Sequence, residues 1–192
     1  MICIVMFLIQ MTVPEFTDLF VLNQRSYIEI WRFVTAIFLH GGLAHLLYNL
    51  FALILFGTIL ERLIGGRNFL ITFFLAGIGA NIIAVFFYPS SLGASGAIFG
   101  VIGALILVRP SLVVFAFGIP MPIFIAGIVW AMGDVIGIFF PSSVGNIAHL
   151  AGLFLGMIIG SLYRDWNAKR DRNSYDELDE RYMRNWEDRY VR

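Results

Sequence analysis

The sequence predicts an all-α membrane protein with six transmembrane helices, the first of them short or truncated. Of its 192 residues, 59% are hydrophobic and 14% are charged, and the mean hydropathy is +0.84. Soluble domains are about half apolar and a quarter charged. The apolar residues recur in long continuous runs rather than in alternation, which favours membrane helices over a β-barrel.

The apolar runs define the predicted spans in chain order. The first run, 2–13, is shorter than the about 20 residues that a span needs, so its boundary stays open. A long loop over 15–42 follows, in which Tyr27 and Trp31 suit a membrane–water interface. The remaining spans are predicted at about 43–60, 69–87, 95–108, within 112–140 with a break near Gly118, Pro120 and Pro122, and at 144–163.

The positive residues predict the orientation of these spans. Basic residues cluster on one side, whereas only Arg25 and Arg32 lie on the other. By the positive-inside rule, that basic side is cytoplasmic and the long loop is outside. We therefore predict a membrane domain over 1–164 and a charged cytoplasmic tail over 165–192. The basic cluster comprises Arg62, Arg67, Arg109, Arg164, Lys169, Arg170 and Arg172.

Charge argues against a nucleic-acid partner, and cysteine content excludes an internal disulfide. The formal net charge is zero and no basic face stands alone, so we expect no nucleic-acid partner. Cys3 is the single cysteine, which excludes a disulfide within the chain.

Polar residues inside predicted spans are costly and mark candidate functional sites. A rise of about 1.5 Å per residue places Ser95, His149 and Asn49 about 20–22 Å above the cytoplasmic boundary, and His45 about 25 Å above it. The hydrocarbon core is about 30 Å thick. Three separate helices therefore carry polar groups at a similar depth, nearer the outer surface.

Ser95 and His149 form a candidate nucleophile and general base. Each begins a stripe of small residues that allows two helices to approach closely. If the stripes face each other, a serine hydroxyl can give its proton to an imidazole. No carboxylate lies near either residue in sequence, so we expect a Ser–His dyad rather than a triad. The stripes are Gly96, Gly100 and Ala104 after Ser95, and Gly152, Gly156 and Gly160 after His149.

Plainer interpretations remain open at this stage. Ser95 fits a helix cap, and His45 with Asn49, four residues apart on one helix face, fits interhelical hydrogen bonding. His40, His45 and His149 together are numerous enough for a zinc site, but His40 and His45 do not share a helix face well and the HExxH motif is missing.

Three further polar residues, Glu61, Asn81 and Asp134, are interpreted as structural. We expect Glu61 to brace a cytoplasmic helix end and Asn81 to hydrogen-bond to a neighbouring helix. Asp134, near the outer end of span five, is expected to face water or to form a hydrogen bond.

Five motifs in order give the chain a resemblance to the rhomboid family of intramembrane serine proteases. The resemblance extends from about residue 31 to residue 163. The motifs are Trp31-Arg32 in the long loop, His45-Leu-Leu-Tyr-Asn49 and Gly57-x-x-x-Glu61-x-x-x-Gly65 in span two, Gly93-Ala-Ser95-Gly96 at span four, and Ala148-His149-Leu-Ala-Gly152 in span six.

The resemblance implies a rhomboid-like bundle and assigns roles to individual residues. Ser95 is the implied nucleophile and His149 the implied base, with His45, Asn49 and the backbone N–H of Ser95 as oxyanion donors. Phe99 departs from relatives that carry a tyrosine stacked on the histidine, and we expect its ring to pack there with little loss of activity. Span five is the implied lateral gate.

The implied substrates are single-span membrane proteins in the same lipid bilayer. The expected location is the plasma membrane of a prokaryote. We expect the reaction to use no metal or other cofactor. Two alternatives stay open. One is a catalytically inactive rhomboid-like protein that binds client transmembrane helices. The other is a channel or transporter, although no paired repeats with charged spans are visible.

Overall fold

The computed structural model describes residues 1–116, 118–140 and 144–164, together with residue 189. The predicted charged tail, 165–192, lies outside these residues except for Arg189.

Helices dominate the described chain. The principal ones are α1 (Ile2–Thr12), α4 (Leu43–Ala52), α5 (Thr58–Ile64), α6 (Gly66–Ala84), α7 (Ser95–Val108), α8 (Ile123–Gly137) and α9 (Asn146–Arg164), joined by the short helices α2 (Phe16–Phe20) and α3 (Arg32–Thr35). A π turn, Leu53–Gly57, joins α4 and α5. Short 3-10 turns occupy Gln24–Tyr27 and Ala36–Phe38.

Three helices in the described part of the chain are long and apolar enough to cross a membrane: Leu43–Ile64, Gly66–Ala84 and Asn146–Arg164. Helices α1, α7 and α8 are apolar but shorter, at 11, 14 and 15 residues. At about 1.5 Å per residue, α7 extends about 21 Å, less than the hydrocarbon thickness. The chain is thus a multi-pass membrane protein whose central helix is short.

Helix α7 is largely buried, and its glycines pack against α9. Gly96 and Gly100 are buried, and their carbonyl oxygens occupy the space that a Cβ on Gly152 or Gly156 would need. The condition that the two glycine stripes face each other is therefore met. Because neither helix has side chains at these points, the two backbones are in direct contact.

The predicted long loop, residues 15–42, folds into an ordered layer of short helices and turns. Arg32 is 1% exposed, and its guanidinium donates to Glu29, to Asp18 O at 2.7 Å and to Val21 O at 2.9 Å. A buried cation is tolerated only when it is paired in this way. Asn81 of α6 donates to Phe33 O at 2.8 Å, which confirms its predicted bond to a neighbouring helix.

The start of the fifth apolar run forms a β-hairpin instead of the predicted break in a helix. Strand β3 (Val113–Ala116) pairs antiparallel with β4 (Ile119–Pro122), and only then does α8 begin. Gly118 has a φ of +78°, which glycine adopts without cost. Pro120 and Pro122 lack an N–H for a helix, so this segment forms a hairpin instead.

Candidate active site

Ser95 is the first residue of α7 and follows a tightly held loop. Gly93 N donates to Ala36 O at 2.9 Å. Strand β1 (Leu22–Asn23) pairs with β2 (Ser90–Ser91), which fixes the same loop to the ordered layer. Backbone N–H groups of a first helical turn have no acceptor within the helix, so those at Ser95 remain able to bind an anion.

The loop also meets the start of α9. The Ile147 N–H donates to the Tyr88 hydroxyl at 3.0 Å. A Cβ built on Gly96 would lie 3.5 Å from Ala148 O. The residues next to Ser95 and next to His149 are therefore neighbours across the helix contact.

His45 lies against the loop that carries Ser95. A Cβ built on Gly93 would lie 2.9 Å from His45 Nε2 and 3.9 Å from Ser95 Oγ. On the other side of the ring, the Gly41 N–H donates to His45 Nδ1 at 3.4 Å. Because Nδ1 accepts, the neutral ring carries its proton on Nε2. His45 thus presents an N–H donor beside the serine.

Asn49 lies one turn after His45 and is 7% exposed. Its Nδ2 donates to His45 O at 2.8 Å. An amide nitrogen has two protons, so one N–H of Asn49 stays available while the other fixes the side chain to its own helix.

His40 packs edge-on against His45, with 5.2 Å between the ring centroids. The backbone of His40 is held by Gln10 of α1, which accepts from His40 N at 3.0 Å and donates to His40 O at 3.4 Å. Burial lowers the pKa of His40 to about 4, with a smaller contribution from His45. His40 therefore supports His45 as a neutral, buried neighbour.

His149 is held on two sides. The Phe99 ring stacks on the imidazole with 4.4 Å between centroids and 4° between planes, which confirms the predicted packing of Phe99. His149 Nδ1 lies 3.0 Å from Asp134 Oδ1. An ionised carboxylate only accepts hydrogen bonds, so Nδ1 carries the proton and Nε2 is left as a base.

Ser95 and His149 are brought close without a direct hydrogen bond. Phe99 lies one turn after Ser95, so its stack places the imidazole beside the first turn of α7. Among the described residues, no hydrogen bond joins Ser95 Oγ to the imidazole. Catalytic hydrogen bonds are often long before substrate binds and shorten in the complex, so this absence does not exclude a catalytic pair.

Asp134 forms the hydrogen bond that was one of its two expected roles, and its partner is His149. The partner lies fifteen residues later and on another helix, so neighbouring sequence positions did not indicate it. A carboxylate inside an apolar span is costly, and this bond offsets part of that cost. The Ser–His dyad stays a prediction.

His40, His45 and His149 do not converge as metal ligands. Within residues 1–116, 118–140 and 144–164, no group of three His, Cys, Asp or Glu side chains is arranged to hold a metal ion. The site instead combines a hydroxyl, an imidazole–carboxylate pair and a set of N–H donors. This combination suits acyl transfer to a serine.

Comparisons with known proteins relate these residues to a family. A family model described as the Rhomboid domain matches residues 27–166. The chain is 49% identical over 84 residues to the rhomboid protease GluP of Bacillus subtilis, covering 43% of this chain and 17% of that relative. It is 30% identical over 165 residues to RHOMBOID-like protein 6, mitochondrial, of Arabidopsis thaliana, covering 77% and 50%.

A third relative is matched over most of its length. The chain is 26% identical over 179 residues to the rhomboid protease GlpG of Haemophilus influenzae, covering 91% of each. By contrast, the chain spans half or less of GluP and of RHOMBOID-like protein 6.

Proposed function

Because the chain belongs to the rhomboid family, we propose that it is an intramembrane serine endopeptidase with Ser95 as nucleophile and His149 as general base. One observation supports this most strongly. The imidazole of His149, stacked on Phe99, meets the helix turn that begins with Ser95, and Nδ1 of that imidazole is already occupied by a carboxylate.

In the proposed reaction, Ser95 Oγ attacks the scissile carbonyl carbon while its proton moves to His149 Nε2. That proton then passes to the leaving nitrogen as the C–N bond breaks, which leaves an acyl group on Ser95. A water molecule gives a proton to His149, attacks the acyl carbon and restores the serine. The reaction needs no cofactor.

Negative charge on the carbonyl oxygen is stabilised by N–H donors around the serine. The candidates are His45 Nε2–H, the remaining N–H of Asn49 and the backbone N–H of Ser95. Each such donor is typically worth about 2.7–4 kcal/mol. A Cβ built on Gly93 would approach both His45 Nε2 and Ser95 Oγ, which supports His45 as one of these donors.

The proposed substrates are single-span membrane proteins in the same lipid bilayer. A transmembrane helix hides its carbonyls in its own hydrogen bonds, so it must unwind before attack. Glycine or proline near the cut site should therefore favour cleavage. Equal cleavage of a substrate series in which these residues are changed to leucine would contradict this preference.

The proposed topology keeps six spans, with α1, α7 and α8 as short ones. In this topology residues 1–164 form the protease domain and residues 165–192 form a cytoplasmic tail. The plasma membrane of a prokaryote is the proposed location. Protease protection of a tag placed after residue 192, in right-side-out and inverted vesicles, tests the side of the tail.

The decisive experiment incubates the purified protein in detergent with a model single-span substrate. The parent should release two fragments, and the Ser95→Ala variant should release none while keeping its thermal stability. Ser161→Ala is a matched control, because Ser161 is an exposed serine whose hydroxyl donates, among the described residues, to Ile158 O of its own helix. Cleavage by purified Ser95→Ala protein would refute the proposal.

Asn49→Ala tests the oxyanion donors. We expect kcat to fall about a hundredfold or less, because His45 and a backbone N–H remain. Asn81→Ala is the control, since Asn81 is a similarly buried asparagine whose side chain donates to Phe33 O. An unchanged kcat for Asn49→Ala would restrict Asn49 to bracing its helix.

The alternative is a rhomboid-like protein that binds client helices without cleaving them. It gains support from the absence, among the described residues, of a direct Ser95–His149 hydrogen bond. Covalent labelling by a fluorophosphonate separates the two functions. Labelling that disappears in Ser95→Ala supports the protease, whereas a parent that is never labelled supports the binder.

A further inference from the structure

The hairpin between α7 and α8 exposes large apolar side chains. Val113 is 62% exposed, Phe115 is 75% exposed, and Ile119 near the turn is 59% exposed. Phe115 lies opposite Pro120 across the two strands. Directly opposed residues share a face of the pair, so Pro120, itself exposed, extends the face of Phe115. These four residues are called the hairpin surface.

The inner face of the hairpin is fixed to the body of the protein. Val114 and Ala116 are buried in the main hydrophobic core, and Met121 packs against that core. Leu112 O accepts from the N–H of Ile123, the first residue of α8, at 2.8 Å. Because the inner face already packs on the core, the hairpin surface faces away from the protein.

The hairpin surface lacks the charges of a loop that faces water. Between Arg109 and Asp134 the sequence contains no charged residue, and Ser111 is its only hydroxyl or amide side chain. A contiguous exposed apolar patch marks contact with a membrane or with a partner molecule. The neighbouring helices decide between the two.

The depth of the hairpin follows from two helices that share a common level. Asp134 of α8 and His149 of α9 are joined by a hydrogen bond, so they lie at a similar height in the membrane. From that level α9 runs fifteen residues to Arg164, about 22 Å, whereas only eleven residues of α8, about 16 Å, lead back to Ile123. Ile123 therefore lies about 6 Å inside the level of Arg164, within the cytoplasmic leaflet of the proposed topology.

The hairpin surface also continues the apolar side of α8. Phe124 and Ile125, in the first turn of α8, are exposed apolar residues, and such residues on a membrane helix face acyl chains. Arg109 is exposed just before the hairpin. Its long apolar stem lets the guanidinium reach the phosphate groups of the lipid headgroups.

The backbone of β4 suits the boundary between headgroups and acyl chains. Pro120 and Pro122 have no backbone N–H. Strand β4 therefore lacks two donors that an apolar environment would leave unsatisfied.

We propose that the hairpin surface is a lipid-binding surface that inserts into the cytoplasmic leaflet, at the boundary between headgroups and acyl chains. Apolar elements that lie in this boundary are buried by about 5–10 Å. A second copy of the chain fits less well, because a stable protein interface takes about 800 Å² from each partner, more than four side chains provide. The inference depends on the proposed topology and not on peptide hydrolysis.

The test places a nitroxide spin label at single sites of the full-length protein in vesicles of phosphatidylcholine and phosphatidylglycerol. Cys3→Ala gives a background without cysteine, because Cys3 is the single cysteine. Phe115→Cys carries the test label. Ile128→Cys, at an exposed apolar position of α8, is the membrane reference, and Arg67→Cys, at an exposed position at the start of α6, is the aqueous reference.

Oxygen concentrates among acyl chains and a neutral nickel chelate in water, so the ratio of label accessibility to the two reagents reports depth. We expect this ratio at position 115 to be several-fold above that at position 67 and to approach that at position 128. Equal ratios at positions 115 and 67 would overturn the inference. A label at position 115 that is shielded from both reagents and broadened by a second label would place another copy there and would also overturn it.

A second pair of variants tests insertion without a label on Phe115. With the label at Val113→Cys, Phe115→Asp should lower the ratio at position 113 several-fold, because a carboxylate resists entry into the bilayer. Phe115→Leu is the matched control and should keep the ratio. An unchanged ratio in Phe115→Asp protein that unfolds at the parent's temperature in detergent would contradict insertion. These ratios do not require cleavage, so a failed cleavage assay would refute the proposed function and leave this inference intact.

Discussion

Replacing Gly93 by alanine should disable the site by two separable effects. Gly93 has a φ of +123°, a conformation that costs a residue with a Cβ about 1–3 kcal/mol. The new Cβ would also lie 2.8 Å from His45 Cε1 and 2.9 Å from His45 Nε2, closer than real Cβ atoms approach other atoms. The ring must therefore move.

The displaced ring determines the size of the catalytic effect. A shift of His45 into a strained rotamer costs about 0.5–1.5 kcal/mol. A shift away from the substrate carbonyl removes one oxyanion donor, and such a loss lowers kcat by about 10²–10³-fold. We expect Gly93→Ala to lose stability by about 1–4 kcal/mol and kcat by about a hundredfold.

Two control variants separate strain from contact. Gly65 has a φ of +84° with nothing within 4 Å of its built Cβ, so Gly65→Ala carries the conformational cost without a clash. Gly42 also has nothing within 4 Å of its built Cβ. Its φ of 169° is extended backbone that any residue adopts, so Gly42→Ala should carry neither cost.

Thermal unfolding in detergent gives the stability, and cleavage of a single-span substrate gives kcat. The expected order of kcat is Gly42→Ala near the parent, Gly65→Ala near the parent, and Gly93→Ala far below both. If Gly93→Ala matches Gly65→Ala in both stability and kcat, the contact between His45 and the loop of Ser95 has no catalytic consequence.

Three further predictions concern packing, acidity and the aromatic stack. Gly152→Ala should lower the free energy of unfolding by about 1–3 kcal/mol or more, because the new Cβ would collide with Gly96 O. Gly133→Ala is the control and should not lower it, because a Cβ there has nothing within 4 Å. Equal stability of the two variants in thermal unfolding would contradict close contact of the helices. Burial lowers the pKa of His40 to about 4, whereas the unfolded chain takes up that proton near pH 6.5. The free energy of unfolding should therefore fall by about 3 kcal/mol from pH 6.5 to pH 4. Unfolding measured at each pH should show a smaller loss for His40→Gln, and an identical loss would refute the lowered pKa of His40. Phe99→Leu should lower kcat/KM by about 2- to 10-fold through loss of the stack on the imidazole, whereas Phe99→Tyr should retain the parent's rate; a Phe99→Leu variant as fast as the parent would show that the stack has no catalytic effect.

Hydropathy predicted the elements of the fold well where the signal was long and continuous. The span predicted at 95–108 coincides with α7, and those predicted at 69–87 and 144–163 differ from α6 and α9 by a few residues. The prediction failed over 112–122, where prolines and a glycine in an apolar run looked like a helix break and instead form a hairpin. Pairing between two such segments is not encoded in hydropathy.

The sequence by itself determined that this is a helical membrane protein of the rhomboid family, and it identified Ser95 and His149 as the candidate pair. Composition, the periodic glycines and short motifs are local properties, so one chain is enough to read them. Only the tertiary structure decided that Asp134 bonds to His149, that Gln10 holds His40, and that Gly93 leaves room for His45. These contacts join different helices and loops, and their existence depends on how closely the helices pack.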